Sequence, residues 1–390
     1  MRRDFDDADD YNARLAAAVV VGLRQAVHFE DLCHRTHGAA PQDIIAKISK
    51  SDFDRLRGTT VSPLRSDLDR RTPEPHPIDY DWRFNLSTVK FLTSLTKRFE
   101  NILCVGTPTV FDLLAKTGRR ATLVDRNAFL AKALSEFPHA RLIFDEIEVT
   151  DLSSATYDAA ILDPPWYPCE YDTWLDKVIP ALRPGGTILL TLFRELTRPS
   201  AHKELGLLLD SLSRVGRVNL IPAAATYVTP RFELEVLQQV GAPTLHSWRQ
   251  GDIAEVVLFP DSRNWINPPV ALPKRKWRRF LLGDQVVATA IRDDDNGPVS
   301  YRGLADARLS FQLTSVSNRD AQRERIDVWT SRNRGAQVSG IQRVCSALAA
   351  IAESPENQDR LHLPLTTADY SSFHNLLADV GLLDGTRLDA

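Results

Sequence analysis

Apolar residues recur at helical spacing near the start of the chain, at Leu15, Val19, Val20 and Leu23, which predicts a helix over residues 11–25. Phe29, Leu32 and Cys33 form a second, shorter apolar face. Gly38 interrupts it, and Pro41-Gln42-Asp43 opens a third segment carrying Ile44, Ile45 and Ile48. Helix, glycine-containing turn, helix is the spacing of a helix-turn-helix or winged-helix module. The competing expectation is a small helical packing domain, because the second helix offers only Lys47 and Lys50 to phosphates.

Residues 58–80 are rich in proline and polar side chains, which is linker chemistry. Ser87 is the expected cap of a helix that buries Val89, Phe91, Leu92 and Leu95. From residue 101 strands and helices alternate, which predicts a parallel, doubly wound α/β sheet. Strands are expected at 101–106, 121–125, 141–147, 158–162 and 187–193, the last launched by a turn at 183–186. A helix follows at 201–215, and 218–222 and 233–240 are expected as the last two strands. Beyond residue 245 the pattern shifts to short strands at 256–259, 280–282 and 286–291, then helices at 338–353 and 369–380. The chain thus divides into a helical module (1–72), a Rossmann-like domain (73–245) and an α+β module (246–390).

Charge changes this picture locally. The formal net charge of the 390 residues is −3, but residues 261–340 hold 14 Lys/Arg against 9 Asp/Glu, and residues 341–390 hold 3 against 7. A basic stretch is therefore followed by an acidic one. The four cysteines are scattered, with no spacing of a zinc site or a disulfide framework, so no metal is expected. The first ten residues are too acidic for a targeting peptide, and no apolar run approaches the about 20 residues of a membrane span. A cytoplasmic protein is the expectation.

The chemistry concentrates at the ends of the predicted parallel strands. Gly106 ends the first and Asp125 the second, the adenosine-binding arrangement of a Rossmann-like half. The loop reads Gly-Thr-Pro-Thr-Val-Phe and lacks the glycine cradle for a pyrophosphate. S-adenosylmethionine has no phosphate and does not need one. Asp145, or its competitor Asp151, is placed to bond the adenine amine. The fourth strand runs into Asp163-Pro164-Pro165-Trp166-Tyr167. An exocyclic amine on an aromatic ring is a poor nucleophile, because its lone pair is delocalised. A carboxylate from Asp163 and a carbonyl from Pro164, stiffened by Pro165, can hold its two hydrogens. Trp166 or Tyr167 offers a flat face for a base. Alignment then supplies most of the catalysis.

These residues resemble a known family. Asp-Pro-Pro-Trp after a strand is similar to the signature of class I aminomethyltransferases. The longer stretches DWRFNLSTVKFL, NILCVGTPTVFDLL, TLVDRN and YDAAILDPPWY are similar to the N6-adenine methyltransferase family, which also has Gly-Thr-Pro in place of a glycine-rich loop. The likeness covers residues 79–195. It implies that Gly106, Thr107 and Pro108 form a cofactor loop, that Arg83 and Phe84 lie near S-adenosylmethionine, that Asp125 bonds the ribose, and that Asp163 to Trp166 surround the target amine. The family contains ribosomal RNA adenine methyltransferases with zinc knuckles, absent here, and an elongation-factor lysine methyltransferase.

Lys274, Arg275, Lys276, Arg278 and Arg279 surround Trp277. Phosphate contact with base stacking is one expectation, and a solvated strand edge over a buried indole is the other. The function expected is S-adenosylmethionine-dependent methylation of adenine N6 in DNA or RNA. The alternatives are a protein lysine or small amine as acceptor, and a non-catalytic nucleic-acid-binding subunit. Branched-polyamine synthases also pair an N-terminal winged helix with Asp-Pro-Pro-aromatic, but their acidic loop after the first strand is missing.

Overall fold

A computed structural model describes residues 2–383 apart from 59, 135–136, 138–139, 153–156, 263–264, 266–274, 293–294, 305–310, 314–319 and 354–362. It separates into two compact units. The first comprises Met1–Thr72, Trp82–Thr229 and Val240–Ala271, and the second Pro73–Asp81, Pro230–Gln239 and Leu272–Ala390.

The first unit opens with five helices: α1 (Arg2–Leu23), α2 (Phe29–Arg35), α3 (Pro41–Ile45), α4 (Lys50–Leu56) and α5 (Asp67–Arg71). Tyr11, Leu15 and Val19 form the buried stripe of α1. The helix expected from Pro41 onward is broken in two. α3 stops after Ile45, and Ser49 caps α4 by accepting the Asp52 amide. Lys47 therefore falls in a turn and Lys50 on the next helix. The helices are fastened to the loops beyond the main sheet: Leu196 donates its amide to His37 O (3.0 Å), and Arg194 Nη1 to His34 O (3.1 Å).

Helix α6 (Leu86–Leu95) follows. Its cap is Asn85, whose Oδ1 accepts the Thr88 amide at 2.9 Å, in place of the expected Ser87. Ser87 is already the second residue of the helix and bonds Asn85 itself. Then come β1 (Asn101–Val105), α7 (Pro108–Lys116), β2 (Arg120–Val124), α8 (Ala131–Leu134), β3 (Arg141–Ile143), β4 (Tyr157–Leu162), α9 (Pro168–Val178), β5 (Leu182–Leu192), α10 (Ala201–Val215), β6 (Gly216–Thr226) and β7 (Gln250–Leu258). They build one sheet of order β3-β2-β1-β4-β5-β7-β6, in which β7 runs antiparallel to its neighbours. The central strands are buried on both faces: Ile102 to Val105 and Ala159 to Leu162 are all at most 1% exposed. Such strands read as continuous apolar runs.

The expected turn at 183–186 is a bulge inside β5, because the register with β4 jumps from Tyr157↔Leu182 to Ala159↔Thr187. Residues 250–258, expected in the C-terminal module, pair along their whole length with β5 and β6.

The second unit contains α11 (Arg231–Gln239), a five-stranded antiparallel sheet and two helices. Its strands are β8 (Trp277–Leu282), β9 (Gln285–Ala290), β10 (Ser300–Gly303), β11 (Val328–Thr330) and β12 (Gly335–Ser339), in the order β10-β12-β11-β9-β8. Helices α12 (Ile341–Glu353) and α13 (Thr367–Asp379) supply Val344, Leu348, Phe373 and Leu376 to a core shared with Phe280 and Val287. The strand expected at 233–240 is therefore a helix. Phe-Glu-Leu-Glu-Val alternates like a strand, but Phe232, Val236 and Leu237 form the buried side, a helical spacing. Among the described residues no helix is long and apolar enough to cross a membrane, and no cluster of three His, Cys, Asp or Glu side chains could hold a metal.

Candidate active site

β4 ends at Leu162, and Asp163 adds one further bond to the neighbouring strand, its amide donating to Val105 O at 3.2 Å. Two prolines follow, which have no amide to continue the ladder. Tyr167 folds back, donating its amide to Pro165 O (2.7 Å), and α9 begins with Pro168 in its first turn. The turn thus holds the Asp163 carboxylate at the carboxyl end of the sheet, where open α/β folds bind ligands.

Two hydroxyls aim that carboxylate. Tyr227 donates its phenol to Asp163 Oδ1 at 2.7 Å, and Thr191 Oγ1 donates to the same oxygen. Thr191 is buried in β5 and Tyr227 is buried just after β6. Burial and the adjacent Asp163 charge push the Tyr227 phenol well above its ordinary range, so it stays a donor. Tyr171, also buried, is raised chiefly by burial and then by Asp163, and donates to Thr191 O at 3.0 Å.

Aromatic rings surround this pair. Trp166 meets Tyr227 edge-on, with centroids 5.7 Å apart, and Phe84 lies 4.9 Å from Tyr227. Trp82 makes edge contacts with Tyr227 (6.4 Å) and Trp248 (5.9 Å). The Arg249 guanidinium lies over both Trp166 (4.0 Å) and Trp82 (4.5 Å). Gly251 makes room for this arrangement. A Cβ there would stand 2.7 Å from Leu192 O and 3.0 Å from Trp166 Cζ2.

The adjoining strand ends carry the residues expected at the cofactor. Gly106 has φ of +62°, and a Cβ would fall 2.7 Å from Trp174 Cη2 and 3.2 Å from Asp163 O. Glycine is required here by backbone shape and by the close approach of α9. Thr107 is buried and Pro108 opens α7. Asp125 follows β2, and its Oδ1 accepts the Asn127 amide at 2.8 Å, which fixes its rotamer. Asp145 is exposed two residues past β3, with Oδ1 on the Glu146 amide. Asp151 is exposed as well. Arg83 is buried, and its Nη1 donates to Asp69 Oδ1 (3.3 Å) and to Thr72. That guanidinium ties residues 82–84 to the end of α5. Phe84 is buried against the Tyr227 ring.

In the second unit the basic stretch divides by strand period. Lys274 lies outside the described residues. Arg275 pairs with the fully buried Asp327, and Arg279 pairs with buried Asp79 (Nε–Oδ1 3.1 Å). Lys276 and Arg278 are exposed on the alternate positions. Trp277 points the other way, toward Trp329 at 6.4 Å. The structure therefore engages Arg275 and Arg279 in ion pairs with buried carboxylates, and Arg275 also lies over the Trp277 ring at 5.0 Å. It does not place Trp277 on one face with Lys276 and Arg278.

Sequence reasoning missed Thr191, Tyr227, Trp248 and Arg249, and it quoted Trp82 without a role. Trp82 had a signal, since it adjoins Arg83 and Phe84. Tyr227 had none.

No family model matches the chain, and no curated protein matches its sequence. Solved structures do resemble it. A branched-chain polyamine synthase mutein from Thermus thermophilus, in complex with N4-aminopropylspermidine and 5'-methylthioadenosine, aligns at 11% identity over 67% of this chain and 90% of that one, with a TM-score of 0.50. A ribosomal RNA methylase from Streptococcus thermophilus aligns at 17% identity over 44% and 94%, with a TM-score of 0.29. An N-methyltransferase from Bradyrhizobium japonicum, in complex with S-adenosylhomocysteine, aligns at 10% identity over 50% and 88%, with a TM-score of 0.30. The strand order and the likeness to the synthase establish a Rossmann-like, doubly wound α/β fold.

Proposed function

We propose that this chain is an S-adenosylmethionine-dependent N-methyltransferase that acts on adenine N6 in DNA or RNA. The observation that carries the proposal is the Asp163 carboxylate, held at a strand-end turn by Tyr227 and Thr191, with the Trp166 indole packed edge-on against Tyr227. The cofactor residues fit on the geometry. Gly106 and Thr107 form the turn between β1 and α7, Pro108 opens α7, and Asp125 presents an ordered carboxylate at the end of β2. These would hold the amino-acid and ribose parts, and Asp145 or Asp151 the adenine amine. Bound there, the cofactor supplies an electrophilic methyl group.

The chain's own residues do the rest. Asp163 and the Pro164 carbonyl accept hydrogen bonds from the two amine hydrogens, which favours a pyramidal nitrogen and directs its lone pair. Trp166 stacks the ring. Tyr227 and Thr191 keep the carboxylate from turning, and because Tyr227 remains protonated, the proton the methylated amine gives up goes to the Asp163 carboxylate and on to water. Arg83, bound to Asp69 and Thr72, positions residues 82–84.

An aliphatic amine, on a polyamine or a lysine, is a second acceptor. It is favoured by the cation already seated on indole faces and by the likeness to the synthase at a TM-score of 0.50. The loop after Gly106 carries no acid until Asp112, which leaves a second ammonium without a partner there. Transfer of a tritiated methyl group to DNA, RNA, protein and spermidine, each offered separately, tests the proposal. The expected outcome is label in nucleic acid, released on hydrolysis as N6-methyladenine. Label confined to protein or spermidine would select the second acceptor.

A further inference from the structure

Arg249 differs from the other shielded arginines of its unit. Arg83 has Asp69 and Thr72, Arg194 has Asp252 and His34 O, and Arg198 has Glu204. The half-buried Arg249 guanidinium has no hydrogen-bond acceptor among the described residues. Its contacts are the indole faces, 4.0 Å from the Trp166 centroid and 4.5 Å from that of Trp82. A guanidinium carries five donors that ordinarily find acceptors when shielded from water. A flat cation on ring faces alone is held weakly.

The three residues come from distant stretches: Trp82 before α6, Trp166 after β4 and Arg249 before β7. They meet beside Tyr227, whose phenol bonds Asp163. The Arg249 backbone is fixed, since its carbonyl accepts the Tyr227 amide at 3.1 Å. Its side chain can leave without moving the strand. A neutral heteroaromatic ring gains at least as much from stacking on an aromatic face as a guanidinium does, and it brings no cation to desolvate.

We infer that Trp82 and Trp166 are the two walls of a stacking slot for a purine ring, and that Arg249 occupies this slot as a placeholder which the ring displaces. The inference rests on the acceptor being a base in nucleic acid. It adds the second wall and the competing side chain, and it makes Arg249 a residue that sets acceptor affinity from within.

The test uses a single-stranded oligodeoxynucleotide with one 2-aminopurine, whose emission is quenched on stacking, in roughly 0.5 M salt to screen charge. The wild-type chain quenches it. Arg249→Ala should do so at several-fold lower protein concentration. Trp82→Leu should weaken quenching by about tenfold or more, and Trp82→Phe should restore most of it. Should Trp82→Leu fail to fold, Arg249→Ala and Trp82→Phe still decide. Unchanged or weaker quenching with Arg249→Ala would overturn the placeholder, and unchanged quenching with a folded Trp82→Leu would overturn the second wall. Methyl transfer is read separately. Transfer to adenine with either overturning result keeps the acceptor and removes the slot, whereas the expected quenching without transfer to nucleic acid keeps the slot and removes the acceptor.

Discussion

Tyr227 donates its phenol to Asp163 across 2.7 Å, from a position 64 residues further along the chain. The bond joins the end of β4 to the end of β6, on opposite sides of β5 and β7 in the sheet. Everything proposed for the acceptor side depends on the carboxylate direction that this bond sets.

Tyr227→Phe removes the donor and keeps the ring that packs on Phe84 and Trp166. A hydrogen bond to a charged group is worth about 1.5–3 kcal/mol. Methyl transfer should therefore slow by about 10- to 100-fold, with cofactor affinity changed less than about two-fold. Steady-state kinetics beside calorimetric titration with S-adenosylhomocysteine checks both.

Asp163→Ala and Asp125→Ala should separate the two halves of the reaction. The first abolishes transfer and leaves cofactor binding nearly intact. The second weakens cofactor binding by about tenfold or more, the cost of a charged hydrogen-bond partner. Equal activity in Asp163→Ala would remove the catalytic account.

Gly251→Ala places a methyl group 2.7 Å from Leu192 O and 3.0 Å from Trp166. Neither the strand nor the packed indole can give way cheaply. The variant should lose about 1–3 kcal/mol of stability, seen as a lower melting temperature, and should slow transfer by moving Trp166.

His76 couples the second unit to pH. Its Nδ1 accepts the Ile78 amide (3.0 Å) and its Nε2 bonds Trp329 O (2.9 Å), so the neutral ring satisfies both partners. Burial pulls its pKa from 6.5 down to about 4. The folded state then binds fewer protons than the unfolded one between these values. The stabilisation is complete above pH 6.5 and is lost as pH falls toward 4, about 3 kcal/mol in all. Thermal unfolding at pH 7 and pH 5 should show the wild-type loss, and His76→Gln should be less stable at pH 7 and flatter across the range.

Strand parity divides the basic stretch into two kinds of residue. Charge reversal at Lys276 and Arg278 should leave stability within about 0.5 kcal/mol and reduce any salt dependence of nucleic-acid binding by about two phosphate contacts. Reversal at Arg279 faces the buried Asp79 and should destabilise the unit by about 3–5 kcal/mol. Equal destabilisation by reversal at Arg278 and at Arg279 would contradict the alternation.

Much of the fold was legible because its signals are local. Buried parallel strands are continuous apolar runs, and α10 begins and ends at the residues its periodicity predicts. Residues 232–236 misled for the same reason: five residues of alternation fit a strand, and only burial of Phe232, Val236 and Leu237 together showed a helix. The cap at Asn85 was missed because Ser87 has equally suitable chemistry two residues later.

The amino-acid sequence alone determined the alternating α/β order, the glycine after β1, the acid after β2 and the acid–proline turn after β4. Each is decided by residues adjacent in the chain, through backbone shape and short-range periodicity. Tertiary structure alone decided which hydroxyls aim Asp163, that Trp82 and Trp166 flank one guanidinium, and that Arg275 and Arg279 are ion-paired while Lys276 and Arg278 stay exposed. These relations join residues up to 200 positions apart, and sheet order with strand parity brings them into contact, so no local pattern records them.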